Sequence, residues 1–289
     1  MIDVFNIPSN TQTTFTFYAT GNWQTWTKPR NAKMIQIFCL GGGAGGAMAS
    51  VSTSNSNGGF GGGSAGIVRG IIPAFLIPDT LYVLVGKGGI GSSTSNTSGG
   101  SGGISYVGIL PSTSEQTLIC KSSTNAPTGA GNAATISIVT TSAFGNLGLF
   151  TAVAGVTGSA GGGSVPSSGT SQTALSSNIT TGGAGGGGKT SVAFAGGGNI
   201  TETSVFLTSK VNGGITNAQD GESGYGILQP FCGTGGAGGA GRQGTTGAGG
   251  RGGDGWYGCG GGGAGGGSTA TGTKAGNGGD GLVIITVIS

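Results

Sequence analysis

Long blocks of glycine interrupt this chain, and any fold it adopts must give them an ordered place. Gly41-Gly42-Gly43-Ala44-Gly45-Gly46 is the first block. Others run over 58–66, 99–103 and 182–188, and glycine dominates 233–281. In total 72 of 289 residues are glycine, roughly a quarter against a usual share of about 7%. Glycine loses more backbone entropy on ordering than any other residue, roughly 0.5–1 kcal/mol relative to Ala in regular elements. An ordered state must recover that cost through the main chain, because these blocks have almost no side chains.

Three states compete for such a chain: a flexible linker, collagen, and a bundle of polyproline-II-type helices. Collagen requires Gly at every third position and abundant Pro. Here glycines run consecutively, as at Gly260 to Gly263, and there are only 8 prolines. Disordered chains are charged and weakly hydrophobic, whereas this one is 7% charged with a mean hydropathy of +0.14. The remaining state is a packed one. A polyproline-II helix has no internal hydrogen bonds, and every buried backbone polar group needs a partner. Helices stripped of side chains can approach closely and bond to one another.

Composition narrows the functional classes. A net charge of +3, from 11 Lys+Arg against 8 Asp+Glu, is too small for a nucleic-acid footprint. No apolar run approaches the roughly 18–20 residues of a membrane helix, and Met1 to Asn6 lacks the pattern of a secretory signal. The sequence has no histidine, so the commonest general base and metal ligand are missing. Cys39, Cys120, Cys232 and Cys259 lack the paired spacing of a zinc site. Cys39 reads as a buried thiol, and pairing of Cys232 with Cys259 stays open. The expectation is no enzyme, no catalytic residue, no metal and no cofactor.

Residues 1–12 read as an arm, with Ile2, Val4, Phe5 and Ile7 available for docking or oligomerisation. Period-2 alternation then begins, with Phe15, Phe17 and Ala19 on one face, as in a half-buried strand. Met34 to Leu40 is a second strand, and pairing it with the first is the simplest topology. Further strands are expected at Ala65–Gly70, Leu81–Gly86, Ile104–Ile109, Thr117–Cys120, Ile136–Val139 and Leu149–Ala154. The pair around Pro111-Ser112 reads as a hairpin. Val192-Ala193-Phe194 and Ser204 to Leu207 are short apolar islands. The tail, Leu282 to Ile288, is apolar on both faces, which suits a central strand covered on both sides. First and last strands are expected to be neighbours. The fold class is therefore all-β: an antiparallel, jelly-roll-like β-sandwich over 13–289. Polyproline-II-type bundles are inserted at about 41–66, 86–103, 155–200 and 233–281, before a closing strand at 281–288.

Two nucleotide-like motifs arise from the glycine. Gly183-Ala184-Gly185-Gly186-Gly187-Gly188-Lys189-Thr190 fits the phosphate-loop pattern, but no buried strand precedes it and no helix follows. It reads instead as a glycine-helix segment ending in a solvated lysine. Gly41, Gly43 and Gly46 have dinucleotide-fingerprint spacing, but a Ser/Asn/Thr run follows where a helix is needed. Asp220 and Glu222 read as a solvated turn rather than an acid–base pair. The sequons at Asn96, Asn178 and Asn199 read as coincidences of polar loops. Trp256-Tyr257 interrupts the last glycine block, and Trp256 is read first as an anchor of the bundle onto the sandwich. With Tyr225 and Phe231 these residues are the candidate partner or receptor contacts, because aromatic residues are enriched at interfaces. Trp23 and Trp26 read as sandwich-edge packing.

Trp26-Thr27-Lys28-Pro29, Met34-Ile35-Gln36-Ile37 and the first glycine block resemble the glycine-rich domain of bacteriophage tail-fibre and virion proteins. Leu81-Tyr82-Val83-Leu84-Val85-Gly86-Lys87-Gly88-Gly89 and Gly278-Gly279-Asp280-Gly281-Leu282-Val283-Ile284-Ile285 share that resemblance. More distantly the same pieces are similar to the glycine-rich ectodomain of anaplastic-lymphoma-kinase-type receptors, although four cysteines are too few for that pattern. The resemblance, over about residues 11–288, implies a β-sandwich carrying bundled polyproline-II helices. It also implies a non-enzymatic virion protein: a capsid decoration, fibre or tail component, a homo-oligomer with a trimer expected, contacting other virion proteins. The alternative it leaves open is an adhesin whose loops hold a host surface polysaccharide. An ice- or matrix-binding role would need regularly spaced small residues on a flat face, which the irregular runs do not supply.

Overall fold

The computed structural model describes residues 12–49, 51–122, 148–174, 179–201, 210–228 and 232–289. The arm residues Ile2, Val4, Phe5 and Ile7, the expected strand at Ile136–Val139, the island at Ser204–Leu207, and Phe231 lie outside the described residues. The fold is all-β with antiparallel sheets, and the helical elements among the described residues are two short 3-10 turns, Ala74–Leu76 and Glu115–Thr117.

Among the described residues, nine strands form two sheets: β1 (Gln12–Phe17), β2 (Gln24–Thr27), β3 (Met34–Leu40), β4 (Ile67–Pro73), β5 (Thr80–Leu84), β6 (Tyr106–Gly108), β7 (Leu118–Lys121), β8 (Phe150–Val153) and β9 (Leu282–Ile288). One sheet runs β1-β9-β3-β4-β8, the other β2-β5-β6-β7. Within both, every pairing is antiparallel. Smaller ladders lie elsewhere, including a parallel pair of Gln172–Thr173 with Ile200–Thr201.

The first and last strands are neighbours, as expected, but β1 does not pair with β3. The closing strand β9 sits between them, Phe15 opposite Ile285 and Ile285 opposite Ile37. The reason lies in β9 itself. Val283, Ile285 and Val287 are buried in the core shared by the two sheets, while Leu282 and Ile284 are buried on the other side with Phe38, Leu40, Ala65 and Ile67. A strand apolar on both faces takes the covered position, and the more polar β1 is left at the edge. From the opposite sheet the shared core receives Trp26, Leu81, Val83, Val107, Ile119 and Cys120. Trp26 reaches it from an edge strand and meets Phe15 edge-on at 6.0 Å. The strand expected at Ile104–Ile109 shortens to Tyr106–Gly108, because Ser105 serves as a connector. Its Oγ donates to Leu40 O at 2.6 Å and accepts from Gly86 N–H at 3.0 Å.

The glycine blocks leave the strand ends and run side by side as rods with a strict three-residue repeat. In the rod 41–48, Gly42, Gly45 and Met48 donate to Gly103, Gly100 and Thr97 of one neighbour. Gly43 and Gly46 donate to Gly279 and Gly276 of a second; Gly41, Ala44 and Ala47 donate to Gly66, Gly63 and Phe60 of a third. Three successive amides thus point to three different neighbours, and the fourth returns to the first, which is the geometry of a helix with three residues per turn. The rod 258–267 is the hub. It donates to the rods 181–189, 41–48 and 248–256 and accepts from 57–66, 233–242 and 274–281. Positive φ occurs at only six glycines among the described residues, at turns such as Gly244 and Gly258, so the rod interiors hold to negative φ.

Glycine is required here by close approach. A Cβ on Gly43 would lie 2.0 Å from Cys259 O, and one on Gly262 would lie 2.0 Å from Ala237 O. Alanine is admitted where the lattice leaves a gap: Ala184 and Ala237 are buried with Ile200 and Val211, and Ala264 with Met48.

Candidate functional site

The strand register gives the molecule two poles. Gln12, Ile288, Met34 and Pro73 are aligned across the sheet at one end. Phe17, Val283, Cys39 and Val68 are aligned towards the other, where the rods begin. The last inter-rod bonds, such as Met48 to Thr97 and Arg242 to Gly266, mark the far end of the bundle. Beyond them lie the turns 51–56, 93–96, 164–166, 190–194, 215–217, 243–247 and 268–273. Their composition is Ser, Thr, Asn, Gln and Gly with a few apolar residues, of which Val165, Val192 and Ile215 are more than 70% exposed.

Lys189 organises this far end. The expectation of a solvated lysine is corrected: Lys189 is fully buried. Its Nζ donates to Thr53 O at 3.3 Å, Gly244 O at 2.9 Å and Ser268 Oγ at 2.7 Å. One ammonium therefore holds three turns, satisfying its three donors, and burial pushes its pKa below the ordinary 10.5. The glycines before it are not a phosphate cradle. Their amides are engaged by other rods, Gly186 donating to Gly59 O at 2.8 Å and Gly187 to Gly239 O at 2.9 Å. The Gly41-x-Gly43-x-x-Gly46 spacing dissolves the same way, since those residues belong to the rod 41–48.

Side-chain carboxylate and amide oxygens at the bundle rim act as substitutes for missing rods. Asp280 Oδ1 accepts from Gly88 N–H at 2.7 Å and Asn277 Oδ1 accepts from Gly91 N–H at 2.9 Å. These two pairs stand three residues apart, which is the rod repeat. Asp220 Oδ1 accepts from Arg251 N–H at 2.7 Å, and Asp254 Oδ1 from Asn277 N–H at 2.6 Å. Glu222 Oε2 accepts from Asn212 N–H at 2.8 Å. Asp220 and Glu222 thus cap two separate rods rather than forming one acid–base pair. The sequence gives no hint of this role unless the acids are read against the three-residue repeat.

The aromatic candidates gather at the junction of sandwich and bundle, away from the far turns. Trp256 lies edge-on to Tyr257 at 5.2 Å, and Tyr257 is 6.1 Å from Tyr18. The indole packs on bare backbone: a Cβ on Gly226 would lie 2.7 Å from its Nε1, and one on Gly233 2.5 Å from its Cδ1. Tyr225 flanks the cluster of Ala174, Ala184, Ile200, Val211 and Ala237. All three are partly buried, and they pack where the bundle meets the sandwich.

The four cysteines are free thiols. Cys39 and Cys120 approach each other across the core, where the contact and burial raise the Cys120 pKa well above normal. Cys259 is pushed up to about 12 by burial. Among the described residues no group of three or more His, Cys, Asp or Glu could hold a metal ion, and no helix is long and apolar enough to cross a membrane.

A family model described as a glycine-rich domain matches residues 18–287. No curated protein matches the chain.

Proposed function

This chain belongs to the glycine-rich domain family, and we propose that it serves as a non-enzymatic structural protein of a phage-like virus particle, as a capsid decoration, fibre or tail component. The observation that carries the reading is the two-pole layout. Gln12, the last residue of the proposed docking arm that carries Ile2, Val4, Phe5 and Ile7, lies at the pole opposite the far turns. A bundle cross-tied by backbone bonds is a stiff spacer between a base and an outward tip. Its partners would be other virion proteins and further copies of itself, with a trimer expected from the symmetry common in such assemblies. Its location would be the assembled particle.

The test is particle composition. Particles purified from the producing host should contain the chain, and deletion of residues 1–12 should abolish its incorporation while the soluble protein stays folded. Particles that keep the truncated protein would contradict the arm; particles without the full-length chain would contradict the assignment. Solution mass should be a multiple of 27.3 kDa, threefold for the trimer.

A second reading is a host-polysaccharide adhesin. It loses support at Trp256, Tyr257 and Tyr225, which pack at the junction. The uncharged far turns with exposed Val165, Val192 and Ile215 are what favours it.

A further inference from the structure

A cleft of about 320 Å³ opens on the flank of the bundle, between the rod 57–66, the turn 93–98 and the segment 161–163. That volume lies at the lower end of the range for small-ligand sites, roughly 300–1,000 Å³. Its walls are fixed before any ligand arrives. Met48 and Thr97 exchange backbone bonds at 3.0 and 3.1 Å, Asn96 N–H donates to Ala49 O at 3.1 Å, and Gly58 N–H donates to Gly162 O at 2.9 Å. Asn96 takes a left-handed conformation, φ 56°, which turns it at the cleft wall.

We propose that this cleft binds a neutral saccharide. The chemistry of its lining selects that class. Among the described residues no ionisable side chain lines it, so a phosphate or carboxylate would find no charged partner there to replace its hydration. Phe60 is 38% exposed in the cleft. In its rod only the backbone carbonyl takes part in the lattice, accepting from Ala47 at 2.8 Å, so the ring is surplus to the bundle. An aromatic face carries partial negative charge and suits the C–H face of a pyranose. Around it stand the amides of Asn57 and Asn96 and the hydroxyl of Ser98, which supply both donors and acceptors to sugar hydroxyls; the Thr97 hydroxyl already donates to Thr94 O at 2.6 Å. Because both walls are tied to the lattice, little ordering accompanies binding. The proposal does not depend on the particle assignment.

The full-length protein should be tested by saturation-transfer NMR with maltose, cellobiose, lactose and chitobiose, each up to about 10 mM, tenfold above a millimolar dissociation constant. At least one should receive saturation, strongest at protons of one ring face. Phe60→Ala should weaken it at least tenfold. Asn96→Gly, which keeps the left-handed backbone accessible, should weaken it severalfold with unchanged thermal unfolding. Ile90→Ser, outside the cleft, should leave it intact. No transfer to any of the four disaccharides would overturn the proposal, as would binding that survives both Phe60→Ala and Asn96→Gly.

Discussion

Individual residues in this protein are read correctly only against the rod lattice. Lys189 ends a sequence that fits a phosphate loop, yet its three donors are spent on Thr53, Gly244 and Ser268. Lys189→Met should leave Gly244 O and Ser268 Oγ, both in half-buried residues, short of a partner and lower stability by about 1–3 kcal/mol. Denaturant unfolding measures this, and limited proteolysis should show new cuts in the far turns. Millimolar Mg-ATP should not shift the melting temperature of the native protein; a clear rise would restore the nucleotide reading. Cys259 gives a pH signature. Its folded pKa, about 12, exceeds the ordinary 9.0. The thiol thus ionises more readily in the unfolded chain, and stability is full below about pH 9 and falls as pH rises towards 12. Unfolding free energies across that window should fall less steeply in Cys259→Ala. The sign is the same for Cys120, which is also raised.

At the level of elements, strands were legible and rods only in outline. Alternation located β1, where a half-buried sheet face imposes period 2 on side chains, and short apolar runs bounded by turn residues located β3, β4, β5, β6, β7, β8 and β9 to within a few residues. The order β1-β9-β3 was not legible from pairing simplicity, though the two-faced apolarity of Leu282 to Ile288 already marks a covered strand. Rods carry a fainter signal, since a lattice of bare backbone is written in where Cβ is tolerated. Ala44 and Ala47, or Ala237 and Ala240, recur at intervals of three and are buried. The buried Lys189 has no comparable marker; a lysine after a glycine block looks the same solvated or caged. The lattice also orders the effects of substitution. Gly262→Ala, whose Cβ would fall 2.0 Å from Ala237 O, should cost more than the roughly 1–3 kcal/mol of ordinary overpacking, because the neighbour is backbone that cannot swing away. Gly163→Ala meets nothing closer than 3.5 Å and should change stability by less than about 0.5 kcal/mol. Trp256→Ala should lower stability by about 3 kcal/mol and loosen sandwich from bundle. Trp256→Phe should cost less, since the buried indole N–H has no acceptor among the described residues. Calorimetry of the four variants tests the ranking.

For the whole molecule, the sandwich is a base of ordinary construction and the bundle is a second solid with almost no side chains in it. The two are continuous at Leu40 with Gly41, Gly66 with Ile67 and Gly281 with Leu282, so sheet bonds pass directly into rod bonds. Ordering the glycine blocks is expensive in backbone entropy, and the balancing term is a hydrogen bond from nearly every successive amide to a different neighbour. Backbone amide hydrogen exchange on the native protein tests that claim most directly. Amides of the hub rod from Gly260 to Gly266 should be protected to an extent comparable with Ile37 and Ile285 in the central strands, because releasing any one requires opening of the surrounding rods. Exchange of the hub amides at the rate of an unstructured glycine chain, while the sheets remain protected, would contradict the account.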